Sequence, residues 1–190
     1  MRRRTAGVVL IAVGLVGILG AGWAFAARSN NGWGIRAWGP FNGALGGPTC
    51  TAPALRRQVV DVTLSDMGGA MGLGMMGGRG MMNISANPSV VGAGDVSFRV
   101  RNAGMVVHEL VVMPLPPGGA GTRSIGPDGR VNEAGSLGEA SNSCGDGAGD
   151  GIVPGAGSWV TLHLAAGPYE LICNLPGHYA MGMFAELDVT

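Results

Sequence analysis

The chain has 190 residues, the size of one domain with extensions, and 46% of them are hydrophobic, so its bulk is not a disordered polar tail. All twelve basic residues are arginines, balanced by twelve acidic residues. No basic stripe follows the first four positions, which argues against a nucleic-acid-binding protein. Three cysteines are too few for a disulfide-packed miniprotein or a multi-cysteine zinc fold. The 37 glycines show no collagen-like period and predict long loops.

The first 27 residues are predicted to be a targeting segment. Three arginines at positions 2–4 precede an uncharged apolar run at 6–27, and residues 24–26 (Ala-Phe-Ala) have the small-x-small form of a signal cleavage site. A retained membrane anchor is the alternative, because 22 residues at about 1.5 Å each can cross about 30 Å of hydrocarbon. Both interpretations place the remainder outside the cytoplasm, whether secreted, periplasmic or anchored at the cell surface.

The globular part is predicted to consist of strands. Residues 28–58 show neither helical nor strand period and are predicted to be a flexible tether. Short β-rich runs then alternate with glycine and proline, at 59–64, 81–88, 94–104, 108–115, 159–164, 167–173 and 183–190. Residues 116–157 are predicted to be a long loop with at most a weak helical turn near 133–142. The sequence therefore predicts an all-β, Greek-key β-sandwich over 59–190, with an N-terminal signal or anchor helix and long glycine-rich loops.

A short segment near the C-terminus carries residues suited to metal binding. Cys173, His178 and Met183 follow one another at intervals of five residues, where one predicted strand passes through a loop into the next. A thiolate, an imidazole and a thioether suit a soft metal, and two histidines with one cysteine and a weak axial methionine form the blue-copper arrangement. His108, which begins the strand after the Asn-Ala-Gly turn at 102–104, is the candidate for the second imidazole.

Strand alternation supports the convergence of these side chains. Cys173 shares a face with Tyr169 and Leu171, and Met183 is in step with Leu187 on the returning strand. The loop is therefore expected to begin and end with inward-pointing sulfur groups. His178 is expected at its tip, within reach of the same point and near solvent.

The C-x4-H-x4-M loop, with Pro-Gly before the histidine, resembles the cupredoxins, and among them the rusticyanin- and sulfocyanin-like proteins. The resemblance covers residues 59–190 and includes the Asn-x-Gly turn before the first histidine and the Gly-x-Tyr lead-in to the cysteine. The ligands that it implies for one type 1 copper are His108, Cys173, His178 and Met183. It also implies one-electron transfer with redox protein partners that dock at the His178 edge. An enzyme is not expected, because three histidines in the chain cannot build a trinuclear copper cluster.

Residues next to the ligands are expected to tune the site. Pro176 lacks an N–H and cannot donate to the Cys173 sulfur, whereas the amide of Leu175 can reach it. Many cupredoxins carry, at the position of Glu109, an asparagine that ties the two ligand loops together. The Glu109 carboxylate either accepts a hydrogen bond from Asn174 or faces solvent. The apolar residues around the site predict a relatively high reduction potential.

Other residues of ligand type are assigned elsewhere. Met181 has an unsuitable spacing for the axial position and is expected to pack beside the histidine edge. His163 is expected to be exposed on its strand. Cys50 and Cys144 are expected to form a disulfide in an oxidising compartment, with two unpaired thiols or an intermolecular bridge as the alternatives.

A methionine- and glycine-rich insert occupies residues 67–82. Its methionines are Met67, Met71, Met75, Met76, Met81 and Met82. Thioethers bind Cu(I), and methionine also packs adaptively on irregular surfaces. Packing or partner docking is the favoured interpretation, because Asp66 is the only acidic or histidine residue near these methionines. The alternative function for the chain is a copper carrier or storage protein that uses this loop.

Overall fold

The computed structural model describes residue 48 and residues 50–55, 58–66 and 82–190. The predicted leader at 1–27, most of the tether at 28–58 and all but the last residue of the insert at 67–82 lie outside the described residues. Within the described ranges, no helix has the length and apolar character that a membrane crossing requires.

The described part of the chain contains nine secondary-structure elements, and all of them are β-strands. In order they are β1 (Gln58–Asp66), β2 (Met82–Asn87), β3 (Val90–Val91), β4 (Gly94–Asn102), β5 (Leu110–Pro114), β6 (Gly138–Ala140), β7 (Gly157–Leu164), β8 (Gly167–Ile172) and β9 (Phe184–Val189). The all-β prediction is confirmed. Each of the seven predicted strands is present with small shifts of its ends, and the structure adds the short strands β3 and β6.

The strands form two mixed sheets that pack as a sandwich. One sheet has the order β2-β1-β4-β7, and the other has the order β3-β9-β8-β5-β6. Most neighbours are antiparallel, but β1 pairs in parallel with β4, and β3 pairs in parallel with β9. Because the chain crosses repeatedly from one sheet to the other, residues far apart in sequence meet at the ends of the sandwich.

The core follows from the two-residue period of the strands. Val96, Phe98 and Val100 of β4 are buried, while the two arginines of this strand are exposed, as alternation predicts. Each fully buried side chain of this type contributes about 1.5–3 kcal/mol. Ser97 departs from the pattern, because it is buried against β7, where its Oγ lies 2.8 Å from Oγ1 of Thr161.

The long loop at 116–157 agrees with the prediction of at most a weak helical turn near 133–142, since this stretch has one tight turn, in which the Ser136 amide donates to the Glu133 carbonyl at 2.8 Å. Residues 138–140 form β6, which pairs with β5 at the edge of the second sheet. Gly135 and Gly138 have φ angles of 89° and 149°, which a right-handed helix does not accommodate. Gly135 therefore allows a left-handed turn before the chain returns to the sheet as β6.

A disulfide joins the beginning of the described chain to the long loop. Cys50 and Cys144 are bonded, with their Cα atoms 5.1 Å apart. This confirms the expected intramolecular pairing and leaves Cys173 as a free, buried thiol.

Candidate metal centre

Three side chains with metal-binding atoms meet at one end of the sandwich. Nδ1 of His108 lies 3.2 Å from Nδ1 of His178, and the latter atom lies 3.3 Å from Sγ of Cys173. The potential ligand atoms of all three residues lie within 4.8 Å of one another. His108 and Cys173 are fully buried, whereas His178 is half-buried. The structure thus brings together two histidines that are 70 residues apart in the sequence.

Met183, the fourth predicted ligand, lies at the end of the loop formed by residues 173–183, hereafter the ligand loop. Its side chain is fully buried in the core cluster that also contains Cys173. The Cys173 amide donates to the Met183 carbonyl at 3.1 Å, and the Met183 amide donates to the His178 carbonyl at 3.2 Å. Met181 is half-buried on the outer turn of the loop. Met183 is therefore the more buried of the two methionines, and its main chain is hydrogen-bonded to that of Cys173.

The ligand loop is held in a tight turn that requires glycine. Gly177 has a φ of 84°, a left-handed conformation in which a side chain would be strained. Its amide donates to the Gly129 carbonyl at 2.9 Å, and the His178 amide donates to the Leu175 carbonyl at 3.0 Å. A Cβ atom at Gly129 would lie 3.0 Å from the Gly177 nitrogen, so the close approach of the two segments depends on this second glycine.

The thiol of Cys173 lies in an apolar environment with two backbone donors. Burial raises the pKa of Cys173 to about 12, and the amides of Leu175 and Glu109 oppose that rise. The Glu109 amide lies 3.4 Å from Sγ. A buried thiolate needs a compensating cation, and a bound metal ion supplies one by displacing the thiol proton.

Glu109 links the two segments that carry the ligands. Its side chain is 6% exposed, and Oε1 accepts a hydrogen bond from the Asn174 amide at 3.1 Å. The first of the two sequence alternatives is therefore found, and the solvent-facing one is not. Strand alternation misleads here because β5 begins only at the next residue. Burial, followed by repulsion from Glu139 and Glu133, raises the pKa of Glu109 to about 7.

Asn174 extends this link to the long loop. Its Oδ1 accepts a hydrogen bond from the Val131 amide at 2.7 Å, and its Nδ2 donates to the Val131 carbonyl at 3.0 Å. Nδ2 also donates to Oε1 of Glu133 at 2.5 Å. Asn174, which directly follows Cys173, thus connects the long loop at 116–157 to the ligand loop.

The surroundings of the two imidazoles favour their neutral form by lowering the pKa of each. Burial lowers the pKa of His108, and a hydrogen bond with Asp66 opposes that effect. Burial also lowers the pKa of His178, as does the proximity of His108. The neutral imidazole is the form that binds metals, so these shifts favour the metal-binding form of both histidines.

A buried polar network anchors the other side of the ligand loop. Glu170 is fully buried, and its Oε1 accepts hydrogen bonds from the Tyr179 hydroxyl at 2.9 Å and the Gly121 amide at 2.7 Å. Nε of Arg123 donates to Oε2 of Glu170 at 2.5 Å. Because Tyr179 directly follows His178, the network restrains the loop next to its histidine. The sequence did not predict this network, because strand alternation places Glu170 on the face opposite Tyr169 and Leu171, where a charged side chain is expected to face solvent.

The remaining candidates do not enter the cluster. His163 is 79% exposed, as expected, and its Nδ1 lies 2.9 Å from Oδ1 of Asp95. The methionine-rich insert lies outside the described residues except for Met82, whose amide donates to the Met181 carbonyl at 3.3 Å. That contact places the end of the insert beside the ligand loop.

A two-sheet sandwich of mixed strands, with a His-Cys-His cluster at one end, is what the resemblance noted in the sequence implies. The two-sheet architecture agrees with the cupredoxin-like β-sandwich that the sequence predicts. No protein-family model and no curated protein matches the sequence.

Several solved cupredoxin structures are similar to this chain. Rusticyanin from Thiobacillus ferrooxidans is 22% identical, with 71% of this chain and 79% of that chain covered and a TM-score of 0.40. Auracyanin A, a "blue" copper protein from Chloroflexus aurantiacus, is 19% identical, with coverages of 70% and 99% and a TM-score of 0.40. Auracyanin from Roseiflexus castenholzii is 19% identical, with coverages of 56% and 87% and a TM-score of 0.40.

Proposed function

We propose that this protein is an extracytoplasmic, mononuclear type 1 copper protein that carries single electrons. The observation that supports this proposal is the convergence of one ligand atom from each of two imidazoles and a buried thiol within 4.8 Å of one another. Soft sulfur and neutral imidazole donors fit copper. A hard cation would require oxygen ligands, and no carboxylate belongs to the three-residue cluster found among the described residues. Bound copper supplies a one-electron Cu(I)/Cu(II) couple.

The chain's contribution is to hold the donors and to exclude water. His108, Cys173 and Met183 are fully buried, and the ties through Glu109 and Tyr179 restrain both sides of the ligand loop. A restrained donor set needs little rearrangement when the charge of the centre changes. We propose that His178, which is half-buried, provides the edge at which a redox partner docks.

The location outside the cytoplasm is supported by two separate features. The apolar run at 6–27 follows three arginines, in the form of an export signal or an anchor. The disulfide between Cys50 and Cys144 is of the kind that persists in oxidising compartments.

A role as a carrier rather than an enzyme is supported by the histidine inventory. The chain has three histidines, of which His163 is exposed and pairs with Asp95. The other two belong to the cluster, so no set remains for a second copper centre. Ile172 and Asn174 also flank the thiol, where multicopper oxidases carry histidines.

Addition of Cu(II) to the purified protein tests the function directly. We expect an intense visible band from thiolate-to-copper charge transfer, with narrow hyperfine splitting in the electron paramagnetic resonance spectrum. The colour should disappear on one-electron reduction and return on oxidation. A protein that binds no copper, or binds it without the thiolate band, would contradict the proposal.

Replacement of Met183 by leucine is expected to raise the reduction potential. Loss of the thioether removes a weak donor that stabilises Cu(II), and the axial ligand tunes the potential of such sites. A tenfold loss of Cu(II) affinity relative to Cu(I) corresponds to about 59 mV. Potentiometric titration measures the shift. Met181→Leu is the matched control, and a larger shift in that variant would contradict the choice of Met183.

Deletion of residues 67–82 separates the electron carrier from the alternative copper carrier. The contact of Met82 with Met181 places the end of this insert beside the ligand loop, as a docking or transfer surface would require. We expect the deletion variant to keep its blue spectrum and to lose at most affinity for its partner. Loss of copper uptake or delivery would favour the copper carrier.

A further inference from the structure

A largely buried carboxylate reaches the outer nitrogen of His108. Asp66 is the last residue of β1, and its side chain is 9% exposed. Oδ2 of Asp66 lies 3.2 Å from Nε2 of His108. The same oxygen accepts hydrogen bonds from the amides of Met105 at 2.7 Å and Val106 at 3.1 Å. Three nitrogen atoms therefore surround one carboxylate oxygen.

This arrangement determines which nitrogen of His108 carries the proton. An ionised carboxylate can only accept hydrogen bonds, so Nε2 must be the donor in the contact with Asp66. The neutral imidazole then has its lone pair on Nδ1. Nδ1 is the atom that faces His178 in the metal cluster. The contact thus prepares His108 as an Nδ1 ligand before any metal arrives.

The turn that leads to His108 is shaped to permit this contact. A Cβ atom at Gly104 would lie 2.8 Å from Nε2 of His108 and would overlap Oδ2 of Asp66. The turn is closed by Asn102, whose Oδ1 accepts the Gly104 amide at 2.8 Å. The Asn-x-Gly pattern at 102–104 therefore has a physical reason, since glycine leaves room for the carboxylate beside the imidazole.

We propose that Asp66 is the positioning residue of the metal centre, holding His108 in its Nε2–H tautomer and adding a negative charge that favours Cu(II) over Cu(I). The tautomer requires no metal, whereas the effect on copper rests on the proposed function. Carboxylates that accept from a metal-bound histidine orient the ring and increase its basicity, and their loss typically lowers metal affinity by about 10- to 100-fold.

The tautomer is tested in the metal-free protein by ¹⁵N NMR of His108. In the wild type we expect His108 to be present only as the Nε2–H tautomer. In Asp66→Ala we expect a mixture of the Nε2–H and Nδ1–H tautomers. Asp66→Asn should keep it, because its amide oxygen can still accept from all three nitrogen atoms. An unchanged tautomer in Asp66→Ala would overturn the assignment.

The charge is tested in the copper-loaded protein with Asp66→Asn, which keeps the hydrogen bond. We expect Cu(II) affinity to fall about 10- to 100-fold, with a smaller loss for Cu(I), so that the reduction potential rises. Asp61→Asn is the matched control, because Asp61 lies on the same strand, is exposed and pairs with Arg99. An unchanged potential in Asp66→Asn, or an equal shift in the control, would overturn the electrostatic role.

The two parts of the experiment distinguish the inference from the proposed function. A wild type without the blue spectrum refutes type 1 copper, while the NMR result still decides whether Asp66 positions His108. A wild type with the blue spectrum and an unaltered tautomer in Asp66→Ala refutes the positioning role alone.

Discussion

Replacement of Cys173 by serine is expected to abolish the visible copper–thiolate band completely. Cys173 is the free cysteine of the chain, since Cys50 and Cys144 are joined in a disulfide. No other thiolate can therefore take its place. A serine hydroxyl does not supply the soft, charge-transferring donor that a thiolate provides. Absorption and electron paramagnetic resonance spectra after addition of Cu(II) measure the loss.

A histidine outside the cluster provides the control for this experiment. His163→Ala should leave the spectrum and the reduction potential unchanged, because His163 is exposed and its Nδ1 contacts Asp95. A Cys173→Ser protein that retained the band would eliminate the assignment of the site. The thermal unfolding of both metal-free variants shows whether a lost spectrum reflects a lost ligand or a lost fold.

Replacement of Arg123 by alanine is expected to lower the free energy of unfolding by about 3–5 kcal/mol. The guanidinium contacts the fully buried Glu170 at 2.5 Å and also donates to the Pro114 carbonyl. Without it, the buried carboxylate keeps only the Tyr179 hydroxyl and the Gly121 amide as partners among these contacts. Urea unfolding of the metal-free protein, in which copper binding does not contribute, measures the loss.

The exposed ion pair between Arg99 and Asp61 provides the comparison for Arg123. Arg99 contacts Asp61 at 2.6 Å, but the Arg99 side chain is 55% exposed. Arg99→Ala should therefore cost less than about 1 kcal/mol. Adding Glu170→Gln to Arg123→Ala should restore part of the stability, since it removes the uncompensated charge. Equal losses in the Arg99 and Arg123 variants would show that burial of the pair does not matter.

The ligand loop is restrained from two sides. On one side, Glu109 and Asn174 connect the loop to β5 and the long loop. On the other side, Tyr179 joins the network of Glu170 and Arg123. Hydrogen bonds to the residues beside metal ligands fix the orientation of those ligands.

Strands and ligand types were predictable because both depend on near neighbours in the chain. The two-residue alternation of β4 and β9 reports which side chains face the core, and it does so without knowledge of their partners. Likewise, the spacing of Cys173, His178 and Met183 places three metal-binding groups in one loop. Strand β6 escaped prediction because it has three residues, too few to show a period.

The amino-acid sequence by itself determined the all-β class, the cupredoxin-like motif and the residue types at the centre, since local periodicity and covalent spacing carry that information. Only the tertiary structure decided that Asp66 contacts His108, that Glu109 turns inward to Asn174, and that a buried carboxylate network holds the loop. Those contacts join residues that lie 42, 65 and 47 positions apart. No short-range pattern encodes such pairs, because the packing of the two sheets creates them.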